Sequence, residues 1–337
     1  MERIGFGVIG LGRIGMVHAL SLRDTVRGAR LVAAAVDPVH RQALLDAGDA
    51  PCELEASVEE LLARPDVEAV VVASPAAAHE EHLALAAAAG KPIFSEKPLA
   101  DSAPKAEAAA RAVQAAGVPF QIGFQRRYDR GYARAKALID AGAIGKVEMF
   151  RGISCDRLGP IEFLRTSGGL FMDLAVHDFD AARFLTGDEV REVYAIGEVL
   201  VAPELKTFDD VDYGIVLLRF GSGAVGVVQA CWRAPYGYEI RAEVHGTIGK
   251  VVTEVDEKYP TVLYDARGAV SARHDRFVER FADAYRDEVQ AFVDALHAGT
   301  TPSPGIEDGL QAIRIAAAAT RSRREGAWVA VAGTGRG

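Results

Sequence analysis

The chain has 337 residues, half of them hydrophobic and a quarter charged, and this composition excludes a disordered or collagen-like protein. Its 38 Lys and Arg residues against 47 Asp and Glu residues give a formal net charge of −9, so nucleic acid is not expected as a partner. The three cysteines have no C-x-x-C spacing, which argues against a disulfide framework or a zinc knuckle and favours a reducing compartment.

The first part of the chain, up to about residue 122, alternates short β-branched runs with alanine-rich helical windows. Continuous apolar strands separated by helices indicate a parallel sheet that is covered on both faces. The predicted strands are Ile4–Ile9, Leu31–Val36, Ala69–Ala73, Pro92–Ser95 and Pro119–Ile122.

Residues 123–337 have longer and more alternating strand-like runs, which predict an α+β domain with a large, open and mostly antiparallel sheet. The predicted strands are Val147–Ile153, Val190–Val199, Val211–Phe220, Ala224–Trp232, Glu239–Val244 and Lys250–Val255. Glycine-containing segments at residues 221–223 and 246–249 predict hairpins. The predicted helices are Tyr132–Ala141, Gly169–Leu185 and Arg276–His297.

The N-terminus leads directly into the first predicted strand, without the basic and apolar regions of an export signal. The longest apolar stretches are far shorter than the roughly 20 residues that a membrane span needs. We therefore expect a cytoplasmic protein that does not associate with membranes.

A glycine-rich segment, G-L-G-R-I-G at residues 10–15, follows the first predicted strand and opens a helical window. An acidic residue ends the next strand, about 20 residues further on, and this combination is much more specific than the glycines alone. It predicts a doubly wound Rossmann domain over residues 1–122 that binds a dinucleotide. The pyrophosphate would lie at the helix N-terminus, and the acidic residue would bind the hydroxyls of the adenosine ribose. The acid would repel a 2′-phosphate, so NAD is predicted over NADP. The expected contacts here are Gly10, Gly12, Arg13, Ile14 and Asp37.

Two further segments carry candidate chemistry. Lys97, in the segment Glu96-Lys97-Pro98, follows a predicted strand at the edge where open α/β sheets bind ligands. Asp173 and His177 lie four residues apart in a predicted helix and would share a face, where the carboxylate could orient the histidine as a general base. Taken alone, the first segment is equally compatible with a lysine that is simply solvated at a strand end. The second is equally compatible with a polar stripe on a surface helix. No metal is expected, because no further His or Cys lies at a ligand spacing.

Together these segments resemble the glucose-fructose oxidoreductase/inositol dehydrogenase (Gfo/Idh/MocA) family, and the resemblance extends over essentially the whole chain. Its motifs are the glycine-rich segment, the E-K-P segment, G-F-Q-R-R-Y-D at residues 123–129 and S-G-G-L-F-M-D-L-A-V-H-D at residues 167–178. Within the family, the chain looks most like the inositol 2-dehydrogenases. The segments that carry this closer likeness lie at residues 126–129, 236–244 and 280–292.

The resemblance implies a catalytic triad of Lys97, Asp173 and His177. In it, His177 takes the hydroxyl proton, Lys97 stabilises the charge that develops on the reacting oxygen, and Asp173 orients Lys97 and the substrate. It also implies a cis peptide bond between Lys97 and Pro98. The further contacts that it implies are Ser74, Pro75, His79 and Glu96 for NAD, and Arg127, Asp156 and Tyr236 for a polyol.

The implied reaction is the NAD-dependent oxidation of a secondary hydroxyl of a cyclic polyol, first of all myo-inositol to 2-keto-myo-inositol (scyllo-inosose), by a homotetramer or homodimer. Scyllo-inositol and pyranose sugars are the alternative substrates. Two other hypotheses are a catalytically silent NAD-binding sensor and a sugar oxidoreductase with tightly held NADP. The chain departs from the inositol dehydrogenase pattern at Cys155 and Arg157, where Arg and Pro are common, and near Trp232, where an Asn is common. These differences predict that the rim of the substrate pocket has another shape and charge than in the inositol dehydrogenases.

Overall fold

The structure, a computed structural model, describes residues 2–253, 257–266 and 268–333. Its strands are β1 (Ile4–Ile9), β2 (Ala29–Ala35), β3 (Glu53–Glu55), β4 (Ala69–Val72), β5 (Ile93–Glu96), β6 (Phe120–Gly123), β7 (Val147–Cys155), β8 (Val190–Glu198), β9 (Tyr213–Phe220), β10 (Val225–Cys231), β11 (Glu239–Gly246), β12 (Gly249–Thr253), β13 (Glu257–Asp265), β14 (Gly268–Arg273) and β15 (Val329–Ala330). Its helices are α1 (Arg13–Asp24), α2 (Pro38–Ala47), α3 (Val58–Ala63), α4 (Ala76–Ala88), α5 (Ala103–Ala116), α6 (Arg130–Asp140), α7 (Ile161–Leu164), α8 (Leu170–Asp173), α9 (Val176–Thr186), α10 (Phe277–Arg280), α11 (Ala282–Ala298) and α12 (Ile306–Glu325).

The chain forms two compact units, which differ from the single division after residue 122 that the sequence predicts. The first unit contains the chain up to residue 128 together with residues 283–313, and the second contains residues 129–282 and the chain from residue 314. Helix α11 explains the difference, because its buried aromatic residue packs on the N-terminal sheet. The Phe292 ring lies 6.2 Å from that of Phe6 in β1 and 6.0 Å from that of Phe94 in β5.

The first unit contains a six-stranded sheet in the order β3-β2-β1-β4-β5-β6, in which every adjacent pair is parallel. This confirms the predicted doubly wound parallel sheet. The order reverses between β1 and β4, and open α/β sheets bind ligands beyond the carboxyl ends of the strands at such a point. Strand β3 was not predicted, because its sequence Glu-Leu-Glu has no apolar run.

The second unit contains a seven-stranded sheet in the order β12-β11-β7-β10-β9-β8-β15. All its pairs are antiparallel except β7 with β10, so the predicted mostly antiparallel sheet is confirmed. The two predicted hairpins join β9 to β10 and β11 to β12. Buried and exposed residues alternate along β9, so one face of the sheet is covered and the other is open.

Two predicted helices are each divided in the structure, which corrects the sequence analysis. The window Gly169–Leu185 contains α8 and α9, because the N–H of Ala175 bonds to the Leu170 carbonyl five residues earlier and interrupts the regular ladder. The window Arg276–His297 contains α10 and α11. The β13–β14 hairpin and β15 were not predicted, and the predicted strand end at Val255 lies outside the described residues.

Candidate cofactor and substrate sites

The glycine-rich turn between β1 and α1 leaves its backbone open to a ligand. Gly10 has a φ of +92°, and a Cβ added at Gly15 would overlap the Gly10 carbonyl oxygen, so both positions need glycine. A Cβ added at Gly12 would have no described heavy atom within 4 Å. Gly12 precedes α1 and no described side chain caps the helix, so its first N–H groups can bind an anion. Arg13 and Ile14 form the first turn of α1.

Asp37 lies in the exposed segment after β2 and is the residue predicted to bind the ribose of the cofactor. Its Oδ1 accepts a hydrogen bond from the His40 N–H at 3.0 Å and so caps α2. The nearby cation Arg41 donates from Nε and from one terminal nitrogen to the Leu54 carbonyl, at 3.2 and 3.1 Å. These bonds hold the guanidinium on β3.

The segment after β4 contains Ser74 and Pro75, and a histidine of α4 ties it to another turn. His79 is 1% exposed, with Nε2 2.7 Å from the Ser74 carbonyl and Nδ1 2.6 Å from the Pro98 carbonyl. Burial lowers the pKa of His79, which favours a neutral ring that donates to one carbonyl at a time. His82, which sequence reasoning missed, lies 2.8 Å from the Ser74 hydroxyl. The cofactor contacts of Ser74, Pro75 and His79 stay predictions.

Glu96 and Lys97 lie at the carboxyl end of β5, as predicted, and the Lys97–Pro98 bond is cis. Glu96 is 5% exposed. Its Oε1 lies 2.7 Å from the His18 ring, and its Oε2 accepts from the Lys97 backbone N–H at 3.2 Å. Both carboxyl oxygens of Glu96 therefore already have protein partners, which the predicted nicotinamide contact has to share.

Arg127 follows β6 in a short 3₁₀ turn and belongs to the first unit. One of its terminal nitrogens donates to Asp308 at 2.9 Å, and 13% of its side chain is exposed. The salt bridge ties the guanidinium to α12 within the first unit. The predicted polyol contact of Arg127 stays a prediction.

In the second unit, Asp173 is the last residue of α8 and His177 is the second residue of α9. The prediction that both residues lie in one continuous helix is therefore wrong, because the helix is interrupted between them. His177 is 8% exposed, and Asp173 is half-buried. The catalytic roles of both side chains stay predictions.

Asp210 is a further residue that sequence reasoning missed. Its Oδ1 accepts from the Leu170 N–H at 2.9 Å and so holds the first turn of α8, which ends at Asp173. Burial raises the pKa of Asp210, and the charge of Asp173 raises it further. Asp210 lies 40 residues from Leu170 in the sequence, so no local motif announces the contact.

The predicted substrate residues Asp156 and Tyr236 lie near the ends of β7 and β10 in the second unit. Asp156 accepts from the Arg157 N–H at 2.7 Å, and its own N–H donates to the Cys231 carbonyl. Tyr236 is 54% exposed, and its hydroxyl donates to Glu239 at 2.6 Å. Burial of the hydroxyl and the Glu239 carboxylate raise the pKa of Tyr236.

Cys155, which departs from the inositol dehydrogenase pattern, lies beside a second cysteine. Cys155 and Cys231 are in register across the parallel β7–β10 pair, and both are 1% exposed. The neighbouring Cys155 lowers the pKa of Cys231 below that of an ordinary thiol. Arg157 instead pairs with the exposed Asp275 at 2.6 Å. Two small thiol side chains therefore occupy the strand ends next to Asp156.

The family of the chain follows from comparison with known proteins. Residues 4–124 match the model described as "Oxidoreductase family, NAD-binding Rossmann fold", and residues 136–331 match "Oxidoreductase family, C-terminal alpha/beta domain". The chain belongs to this Gfo/Idh/MocA oxidoreductase family, and its first unit contains an NAD-binding domain.

Individual relatives narrow the likeness. The chain is 38% identical to scyllo-inositol 2-dehydrogenase (NAD(+)) of Bacillus subtilis, over 96% of this chain and 95% of that protein. It is 37% identical to myo-inositol 2-dehydrogenase of Thermotoga maritima, over 95% of this chain and 96% of that protein. It is also similar to the crystal structure of scyllo-inositol dehydrogenase from Lactobacillus casei with bound NAD(H) and scyllo-inositol. In that comparison the TM-score is 0.90, with 31% identity over 98% of this chain and 100% of the other.

Proposed function

We propose that the protein is an NAD-dependent inositol dehydrogenase that oxidises one secondary hydroxyl of a cyclic polyol, first of all myo-inositol, to the ketone. The observation that carries the proposal is the likeness, over nearly the full length of both chains, to inositol dehydrogenases. Because the similarity includes the second unit, it extends beyond the cofactor domain, whose fold alone would indicate only NAD binding. A silent NAD-binding sensor is therefore the weaker hypothesis.

The residues of the first unit fit NAD. The open backbone at Gly12 and the uncapped start of α1 suit a pyrophosphate, and exposed Asp37 suits the ribose hydroxyls. When bound, NAD accepts a hydride from the carbinol carbon of the substrate. The carboxylate of Asp37 would repel a 2′-phosphate, which supports NAD over NADP.

Three side chains are proposed to carry the proton chemistry. His177 takes the proton of the reacting hydroxyl, so that the oxygen can become a carbonyl oxygen. The Lys97 ammonium donates a hydrogen bond to this oxygen and stabilises the negative charge that develops on it. Asp173 orients Lys97 and accepts from a neighbouring hydroxyl of the substrate. Arg127, Asp156 and Tyr236 are proposed to bind the remaining hydroxyls.

Which inositol epimer the protein oxidises is a separate question from the class of substrate. Two relatives of nearly equal identity are named for scyllo-inositol and for myo-inositol, so both epimers are candidate substrates. Cys155 stands beside Asp156 where inositol dehydrogenases commonly have an Arg, and this supports a pocket rim that differs in shape and charge from theirs. Pyranose sugars remain in the test for this reason.

The first test follows the absorbance of reduced cofactor with NAD or NADP and a panel of myo-inositol, scyllo-inositol, chiro-inositol, glucose and xylose. We expect NAD reduction by an inositol. Lys97→Ala and His177→Ala should each lower kcat by roughly 10²- to 10⁴-fold, because each removes a group that acts on the reacting oxygen. Lys105→Ala and His245→Ala, which alter half-buried residues of the same types outside the proposed site, serve as matched controls.

Each outcome of this test decides between the hypotheses. NAD binding without turnover of any polyol would favour the sensor, and turnover of a sugar alone would remove the inositol assignment. Full activity in His177→Ala would contradict the proposed base. A cofactor that stays bound through purification and proves to be NADP would contradict the role given to Asp37.

A homo-oligomer is proposed, with the open face of the second unit's sheet as the contact between copies. Ile215 and Leu217 of β9 are each 41% exposed on this face, and Ile196 beside Ile215 is 52% exposed. Apolar residues grouped on one sheet face are typical of an interface between subunits. A tetramer or a dimer is proposed on the family resemblance.

A cytoplasmic location is proposed for the same protein. Its cysteines, Cys52, Cys155 and Cys231, are all free thiols, as is usual in a reducing compartment. Within the described ranges, no helix has the length and apolar character that a bilayer crossing requires.

A further inference from the structure

Three ionisable side chains from different elements of the first unit are buried together. His18 of α1 and Glu288 of α11 are 0% exposed, and Glu96 of β5 is 5% exposed. One ring nitrogen of His18 and one carboxyl oxygen of each glutamate lie within 4.8 Å of one another. The proposed reaction gives no role to His18 or Glu288.

The two glutamates of this His18–Glu96–Glu288 cluster differ in their hydrogen bonds. Glu96 accepts from the Lys97 N–H and lies 2.7 Å from His18 Nε2. Among the described residues, neither carboxyl oxygen of Glu288 has a hydrogen-bond partner. The nearby Gln121 amide donates to the backbone carbonyl of Glu288, at 2.8 Å, and not to its carboxyl group.

An ionised carboxylate in the position of Glu288 would have no compensation for the loss of water. Burying a charge without a partner costs so much free energy that the group becomes neutral instead. Burial accordingly raises the pKa of Glu288 well above its usual range, and the charge of Glu96 raises it further. Among the described residues, other titratable groups near the cluster include Tyr285 of α11, whose ring lies 6.0 Å from that of His18, and Tyr128 after β6. The buried His79 of α4 also interacts with the charge of Glu96.

The geometry fits a hydrogen-bonded cluster better than a metal site. His18 Nε2 and Glu96 Oε1 are 2.7 Å apart, which is a hydrogen-bond distance. Two ligands of one tetrahedral zinc, at metal–ligand distances of about 2.0 Å, would lie roughly 3.3 Å apart. A Glu96 carboxylate is an acceptor only, so His18 Nε2 carries the hydrogen and donates it to Glu96.

We propose that Glu288 is held as a neutral carboxylic acid, that Glu96 carries the single negative charge of the cluster, and that both are positioning residues for Lys97. Glu96 accepts one hydrogen bond from the His18 ring of α1, the helix that follows the glycine-rich turn. It accepts another from the backbone N–H of Lys97. It therefore connects the cofactor turn to the lysine. A second charge on Glu288 would repel the Glu96 carboxylate and disfavour its position beside His18 and Lys97. The inference rests on the proposed role of Lys97.

The neutral acid is tested by infrared difference spectroscopy on the full chain, without cofactor or substrate. We expect the carbonyl stretch of a protonated carboxyl group in the wild-type protein at pH 7 and 8, and its loss in Glu288→Gln. Glu81→Gln, which alters an exposed glutamate, should leave the band unchanged. In Glu96→Gln the band should disappear at a lower pH than in the wild type, because the second carboxylate is gone. The absence of a Glu288-dependent band at pH 7 would overturn the proposal.

The pH dependence of stability gives an independent test. Between the ordinary pKa of a glutamate and the raised pKa of folded Glu288, the folded wild type binds more protons than the unfolded chain. Stability is therefore lost as the pH rises through this window. The unfolding equilibrium constant of the wild type should increase, relative to Glu288→Gln, by up to about tenfold per pH unit between pH 5 and 8. Stability curves that run parallel for the two proteins would contradict the neutral acid.

The positioning role is tested by kinetics. Glu96→Gln should lower kcat by roughly tenfold to a hundredfold and leave the KM for inositol within about twofold, because a displaced Lys97 affects the reacting oxygen more than binding. A loss of stability in Glu96→Gln with an unchanged kcat would overturn this role. An inactive wild type would instead contradict the proposed function, and the infrared and stability results would still decide the protonation of Glu288.

Discussion

Asp37 has two roles that a suitable substitution can separate. Its carboxylate is placed to exclude a 2′-phosphate, and its Oδ1 caps α2 through the His40 N–H. Serine is also a good N-cap residue but carries no charge. Asp37→Ser should therefore raise the KM for NAD and narrow the preference for NAD over NADP, with the folded state nearly as stable as before. Ratios of kcat/KM for the two cofactors, with thermal unfolding, measure both effects.

Asp37→Ala is the matched comparison, because it removes both the charge and the cap. It should show the same change in cofactor preference and lose a further 0.5–2 kcal/mol or so of stability. A cofactor ratio that is unchanged in both variants would show that another residue selects NAD.

At the residue scale, the sequence predicts side chains that belong to local motifs better than side chains that act through distant partners. The strand-end positions of Glu96 and Lys97 follow from a single apolar run and its end. Asp210 and Glu288 acquire their contacts from residues far along the chain. Asp210 lies in no local motif, and the family-like segment at residues 280–292 contains Glu288 without indicating that it is buried beside Glu96. The positions and contacts of such residues need the fold, because the sequence alone does not report which buried carboxyl groups meet.

At the scale of the element, a substitution in the glycine-rich turn can affect NAD binding without affecting the stability of the fold. Gly12 has a φ of −64° and open space where a Cβ would be, so Gly12→Ala should change the free energy of unfolding by less than about 0.5 kcal/mol. The methyl group would lie where the pyrophosphate approaches the backbone, and the Kd for NAD should rise roughly tenfold or more. Calorimetric titration with NAD, beside thermal unfolding, measures the two quantities.

Gly15→Ala is the contrasting variant, because its Cβ would overlap the Gly10 carbonyl oxygen. It should lose about 1–3 kcal/mol of stability through overpacking between α1 and the turn. Equal NAD affinity in Gly12→Ala and the wild type would contradict the pyrophosphate site.

The accuracy of the predicted elements depends on how sharply each ends in the sequence. Strand β1 has the predicted bounds, because its apolar run stops at a glycine turn. The interruption between α8 and α9 was missed, because the helical pattern of hydrophobic residues continues across it and no proline or glycine marks it. The break comes from the hydrogen bond of the Ala175 N–H to the Leu170 carbonyl. Composition and periodicity do not predict such a bond.

At the scale of the whole molecule, the open face of the second unit's sheet should determine the assembly. Ile215→Glu places a charge in the middle of this apolar face, which would be buried without a partner in an oligomer. We expect this variant to elute as a smaller species than the wild type in size-exclusion chromatography with light scattering. Val39→Glu, which alters an 81% exposed valine of α2, is the control. Elution of Ile215→Glu with the wild type would contradict the proposed interface.

The return of the chain to its first unit at residue 283 has a consequence for synthesis. On the ribosome, β1 to β6 emerge long before α11, whose Phe292 covers Phe6 and Phe94. Until then, the nascent sheet exposes these rings, and exposed apolar surface of this kind makes a partly folded chain prone to aggregation. The NAD-binding unit is therefore completed close to the end of translation, and the emerging polypeptide is a natural client for chaperones that shield hydrophobic surface.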